Sequence, residues 1–156
     1  MITIIATVLL FLTVTLGLGG GLYEVLVIYP GWKHNVDPLT LRSKLQSSGQ
    51  LLAIKRFWPI VSPAQVLLSL VNILLAWNNK GAAETYLLAA SIAVFVDRVI
   101  TFSYFIPVMI RKIMQPEAIE APRLRKIVKQ WTDLSPIRLV FGLFVWIMLV
   151  VALIKL

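Results

Sequence analysis

The sequence predicts an all-α integral membrane protein: an antiparallel four-transmembrane-helix bundle with short cytoplasmic amphipathic helices. Three observations carry this reading. Hydrophobic residues make up 59% of the 156 positions and charged ones 14%, more apolar surface than a water-soluble chain of this length can hide. Four apolar segments, 2–29, 59–77, 85–110 and 136–154, each suffice to cross a hydrocarbon layer about 30 Å thick at about 1.5 Å per residue. The cationic residues gather in the connections and largely avoid the segments. The whole of 1–156 reads as a single four-span domain.

The first segment has neither a basic leader nor a small-residue cleavage pattern, so it is expected to be a retained span and not a signal peptide. It closes in "GLGGGLYEVLVIYPGW", where Gly17 and Gly21 form a G-x-x-x-G pair and Glu24 follows on nearly the same face. In the next connection, Asp37-Pro38 can start a short helix through Leu45 that "SSG" at 47–49 ends. The second segment has one polar face, Ser62, Gln65, Ser69 and Asn72, at spacings of three, four and three. The turn "NNKGAAE" at 78–84 is short enough to force an antiparallel hairpin with the third segment. In "PRLRKIVKQWTDLSP", Leu124, Ile127, Val128 and Trp131 fall on one helical face between basic residues. That helix either lies on an anionic leaflet or packs on the base of the bundle. Ser135 and Pro136 read as the N-cap and first position of the fourth segment. Beyond Arg138, the run "LVFGLFVWIMLVVALI" has no polar side chain except Trp146.

The connections also predict orientation. Lys33, His34, Arg42, Lys44, Lys55 and Arg56 face a single acid, Asp37, in 30–58. Residues 111–135 hold six cations against Glu117, Glu120 and Asp133. With four spans both connections share one side, and the positive-inside rule makes it cytoplasmic, with both termini outside. The expected location is a bacterial inner membrane, with the lipid bilayer and anionic lipids at these loops as partners. Tyr29, Trp32, Phe57, Trp58, Trp77 and Trp131 read mostly as interface anchors, and His34 as a headgroup-level surface residue. The cations flank spans and form no separate basic domain, so nucleic acid is not an expected partner. Cysteine is absent, which excludes thiol catalysis and thiolate metal sites, and one histidine makes no multi-histidine site. No metal and no cofactor is expected.

Function is sought where the apolar pattern is broken. A charge near the bilayer centre costs about 2.5–3.5 kcal/mol on insertion scales, so Asp97 and Arg98 must face the bundle interior. As neighbours they point about 100° apart, and each is expected to find a different partner. Thr101 and Tyr104 continue the Asp97 face. The hairpin is expected to set Ser69 and Asn72 near the depth of Asp97 and Arg98, and Gln65 near Tyr104. Glu24 falls at a similar depth. Three uses of these residues stand open: a salt-bridge network of Arg98 with Glu24 or Asp97, a ligand site, or a proton path.

The stretches "GGGLYEVLVIYPGW", "RFWP" and "TFSYFIPVMIRKI" resemble a family of small four-span bacterial membrane proteins that also includes the fungal anthrone oxygenases. The resemblance runs from about residue 10 to residue 150. It implies an antiparallel four-helix membrane bundle. For the oxygenase members it implies cofactor-independent oxidation of a polycyclic aromatic phenol to a quinone by O₂, whereas most bacterial members have no assigned activity. Glu24, Trp58 and Tyr104 match positions that can carry chemistry, with Pro107 as a kink. Oxygenase members often have an asparagine shortly after the span-three proline, and Val108 and Met109 stand here instead.

Two functions follow as expectations. The first is an intramembrane site for a hydrophobic aromatic or quinone-like molecule. There Glu24 is a candidate base, Arg98 steadies a phenolate, and Tyr104 assists. Gly21, Trp58, Gln65, Ser69, Asn72, Asp97 and Thr101 would line it. The alternative is a non-catalytic accessory subunit of a larger membrane complex, with the apolar fourth span as its contact face. Transport ranks last, because the outer halves of spans one and four offer no polar path.

Overall fold

A computed structural model describes residues 1–33, 37–79 and 81–156; the expectations for His34 and Lys80 lie outside the described residues. Helix α1 (Ile2–Tyr23) passes through a π-helical turn (Glu24–Ile28) into α2 (Tyr29–Lys33). Two short helices, α3 (Pro38–Ser47) and α4 (Gln50–Arg56), lead into α5 (Trp58–Ala76). Helix α6 (Ala82–Ile100) continues through a π turn (Thr101–Phe105), the short α7 (Ile106–Val108) and a second π turn (Met109–Ile113). A 3₁₀ turn (Pro116–Ala118) precedes α8 (Ala121–Lys155). Among the described residues, four stretches are long and apolar enough to cross a membrane, Ile2–Trp32, Gln50–Ala76, Ala82–Ile113 and Ala121–Lys155. In hydrocarbon only a helix satisfies its own backbone, which is why β-branched runs such as those of α1 and α8 stay helical. Thr7, Thr13 and Thr15 bond back to carbonyls of their own helix for the same reason.

The four long helices close a ring: α1 packs on α5 and α8, and α6 packs on the same two. Two apolar cores fill it. One, near the hairpin turn, holds Leu10, Val14, Leu87, Val94, Val145 and Leu149. The other lies at the end with the two long connections and gathers Tyr29, Trp32, Leu41, Phe105, Leu124 and Trp131. Glu24, Asp97, Arg98 and Arg138 fall between these cores along their helices.

Several boundaries and roles differ from expectation. The third and fourth helices begin earlier and run further, so the amphipathic stretch 121–135 and the fourth span form one continuous helix. Ser135 and Pro136 are inside it. Ser135 Oγ donates to Trp131 O at 2.9 Å, and the proline is accommodated mid-helix, not at a helix start. The stripe of Leu124, Val128 and Trp131 is buried in the chain's own core, which favours packing on the bundle base over lying on lipid. Tyr29, Trp32 and Trp131 are likewise core residues, whereas Trp77 is exposed. By contrast the α3 helix and its stop agree with the sequence: Leu41 N–H donates to Asp37 O, and Gly49 takes φ +72°, which favours glycine.

The hairpin register is also corrected. Arg98 meets Ser62, two to three turns nearer the start of α5 than the expected Ser69 and Asn72. A tight hairpin pairs residues equidistant from its turn, and the turn lies between Ala76 and Ala82, so position 98 falls opposite the start of α5. Asn72 instead ties α5 to α1, accepting from Thr7 Oγ1 at 3.0 Å and donating to Ala6 O at 3.1 Å.

The glycines of α1 serve different neighbours. A Cβ on Gly17 would stand 2.8 Å from Gln65 Nε2, and one on Gly20 would stand 2.7 Å from the ring of Phe57. Gly21 faces Leu139 at an ordinary 3.4 Å. The G-x-x-x-G pair is therefore not one helix crossing. Because an aromatic ring yields less than a side-chain tip, Gly20→Ala is expected to cost about 1–3 kcal/mol by overpacking. A detergent unfolding series checks this, with Gly19→Ala, which meets nothing within 4 Å, as the neutral comparison.

Candidate functional site

The polar layer is built where helical regularity fails. At Glu24 the α1 ladder widens, and the N–H of Tyr29 bonds to the carbonyl five residues back, at Glu24. In an α-helix residues five apart point about 140° away from each other. The wider turn brings them over one another, and Tyr29 Oη donates to Glu24 Oε2 at 2.6 Å. The other carboxylate oxygen accepts from Trp58 Nε1 at 2.7 Å. Glu24 thus has two neutral donors, and no ion pair to it forms among the described residues. Of the two bridges left open to Arg98, to Glu24 or to Asp97, the one to Glu24 does not form, because Arg98 pairs with Asp97.

Asp97 receives both arginines. Arg98 Nη2 bonds to Asp97 Oδ2, and Arg138 Nε donates to Oδ1 at 3.2 Å. The two neighbours Asp97 and Arg98 are therefore a pair after all, through the long reach of the guanidinium. Arg138 also donates to Thr101 Oγ1 at 2.7 Å and stands 4.1 Å over the Phe105 ring. Arg98 Nη1 donates to Ser62 Oγ at 3.2 Å. Two guanidiniums share one carboxylate, and the buried Arg98 Nε has no partner among the described residues.

Two cavities adjoin the layer. A small chamber of about 100 Å³ lies among Gly17, Gln65, Asp97, Ser135, Leu139 and Val145, with more apolar than polar lining. A larger, mostly apolar cleft of about 310 Å³ lies between α5 and the third span, walled by Pro59, Pro63, Phe102, Ile106, Met109 and Ile110. Glu24, Tyr29, Trp58, Arg98 and Arg138 border both.

Of the residues singled out by sequence, Glu24, Trp58 and Arg98 stand at both cavities, Gly21, Gln65 and Asp97 at the chamber, and Thr101 at the cleft. Gln65 is also held by Thr13 O, to which its Nε2 donates at 2.7 Å. Tyr104, Ser69 and Asn72 border neither cavity. Tyr104 packs edge-on against Phe105 in the lower core, and Ser69 donates to Val66 O within its own helix. Sequence reasoning missed Arg138, Tyr29 and the pairing of Ser62. A signal for Arg138 existed: Trp131, Ser135, Arg138, Gly142, Val145 and Leu149 repeat at four and three, the inward stripe of α8.

No protein-family model, curated protein or solved structure matches the chain.

Proposed function

We propose that this small integral membrane protein holds a hydrophobic aromatic or quinone-like molecule in the cleft between its second and third spans, on the side that the basic connections assign to the cytoplasm. The observation that carries this reading is the cleft itself. About 310 Å³ with mostly apolar walls is at the small end of small-molecule sites, and its lining includes Glu24, Trp58 and Arg98. A ligand oxygen can accept from the Arg98 guanidinium. A ligand hydroxyl can donate to Glu24, whose oxygens each accept one hydrogen bond and have capacity for another.

The resemblance adds oxygenase chemistry to the binding reading. A phenol passes its proton to Glu24, and the phenolate oxygen rests on Arg98. With O₂ as oxidant, a ring methylene becomes a ring ketone, and the second oxygen atom leaves as water. The chain supplies only the base and the cation.

The reading is tested in nanodiscs with 1,4-naphthoquinone. Tryptophan emission is expected to show a saturable quench above the linear background of membrane-dissolved quinone, and Trp58→Phe is expected to remove most of the saturable part. A strictly linear response overturns the proposal. An accessory-subunit role would put a protein on the outward face of α8, around Ile137, Val140 and Phe144, which lipid covers equally well. Native mass in mild detergent separates the two.

A further inference from the structure

The walls of the cleft are irregular on both sides, and this decides how it is reached. On α5, Pro63 lies inside the helix and has no N–H for the carbonyl of Pro59, so this face of the helix lacks one ladder bond. Opposite, the third span is widened by the π turns at Thr101–Phe105 and Met109–Ile113. Rigid proline rings facing a bulged helix keep the two spans from closing over the cleft.

The wall residues divide by exposure. Phe102 and Ile110 are 44% and 49% exposed on the outer, apolar surface of the bundle, whereas Ser62 and Thr101 at the inner end are 2% and 6% exposed. The cleft therefore runs from the lipid-facing surface to the polar layer. Beside that layer, the chamber of about 100 Å³ sets Gln65, Asp97 and Ser135 among apolar residues and has room for a few water molecules. One end of the path is apolar and faces the bilayer, and the other meets the charged layer.

We infer that the site is loaded sideways from the bilayer: a lipid-dissolved molecule with a compact ring body and one oxygen-bearing end slides between the second and third spans. Its body lies along Pro59, Pro63, Phe102, Ile106 and Ile110, and its oxygen points to the Arg98 guanidinium in the polar layer. This rests on the binding reading above and adds the route, the direction of the molecule and its class. A polar metabolite from water has no apolar reason to cross this wall, and a diacyl lipid carries two chains where the cleft has room for one compact body.

Photolabelling of the full chain in vesicles tests the route without any variant. A lipid-dissolved aryl diazirine forms a carbene that inserts into O–H and C–H bonds. It is expected to label Ser62 and Thr101 as well as the outward Leu67 and Leu74, which are 64% and 76% exposed. Excess 1,4-naphthoquinone is expected to lower labelling of Ser62 and Thr101 at least fivefold and to leave Leu67 and Leu74 unchanged. Ile106→Phe, which fills the passage, is expected to do the same. Labelling confined to Leu67, Leu74 and other outward residues overturns lateral loading, even where naphthoquinone still quenches Trp58 saturably and the binding reading survives. Labelling of Ser62 and Thr101 that naphthoquinone leaves untouched overturns the assigned ligand placement.

Discussion

Asp97→Ala is expected to destabilise the protein by about 3–5 kcal/mol, enough to remove most folded material from a detergent extract. The carboxylate is shared by Arg98 and Arg138, whose side chains are 10% and 26% exposed. Its removal leaves two guanidiniums in the bundle interior with only the hydroxyls of Ser62 and Thr101 and the Phe105 ring as partners, none of them charged. The loss is thus the penalty of stranded charge and not the worth of a pair. For that reason the triple change Asp97→Ala, Arg98→Met, Arg138→Met is expected to recover most of the stability, since apolar replacement of a whole buried ionic group is often neutral. Unfolding midpoints in a mixed-micelle SDS titration give both numbers. An Asp97→Ala protein as stable as the parent would mean that water, and not the carboxylate, neutralises the layer.

Trp131→Ala is expected to cost about 3–5 kcal/mol, as for a large aromatic removed from a packed core. Its indole stacks on Trp32 at 5.9 Å, meets Tyr29 and Phe105 edge-on at 5.2 and 5.8 Å, and donates from Nε1 to Phe105 O at 3.3 Å. The same measurement decides between the two readings of the 121–135 stripe. A helix resting on the membrane surface would lose membrane contact and little folding stability. Because Trp131 also borders the cleft, the variant is expected to bind 1,4-naphthoquinone more weakly in whatever protein remains folded.

The four helices were legible because a bilayer leaves an apolar chain no other regular structure, and the α3 helix because its proline and glycine mark its ends. The inward polar face of α5 was legible too: Ser62, Gln65, Ser69 and Asn72 are all buried. Their partners were not. Periodicity gives a face but not a depth, and a hairpin miscounted by two to three turns exchanged the neighbours of Ser62 and Asn72. The aromatic residues near the span ends show the same limit. An indole serves equally at a lipid interface and in a core, and only the continuation of α8 past Ser135 decides that Trp131 packs on Tyr29 and Trp32.

For Glu24 the limit is sharper. Its presence in an apolar span marked it as costly and in need of a partner, and Arg98 was the obvious cation. The π turn that brings Tyr29 back over Glu24 leaves no mark in composition, and Arg138 enters the layer from the middle of a helix whose later residues are almost wholly apolar. The amino-acid sequence alone determined that this chain is a helical membrane bundle with charges that cannot face lipid, because burial energies act on each residue type wherever it stands. Only the tertiary structure decided which charge meets which, and set Glu24 and both guanidiniums beside a cleft. Pairing depends on depth, rotation and side-chain reach of a few ångströms, and several partners satisfy the same pattern.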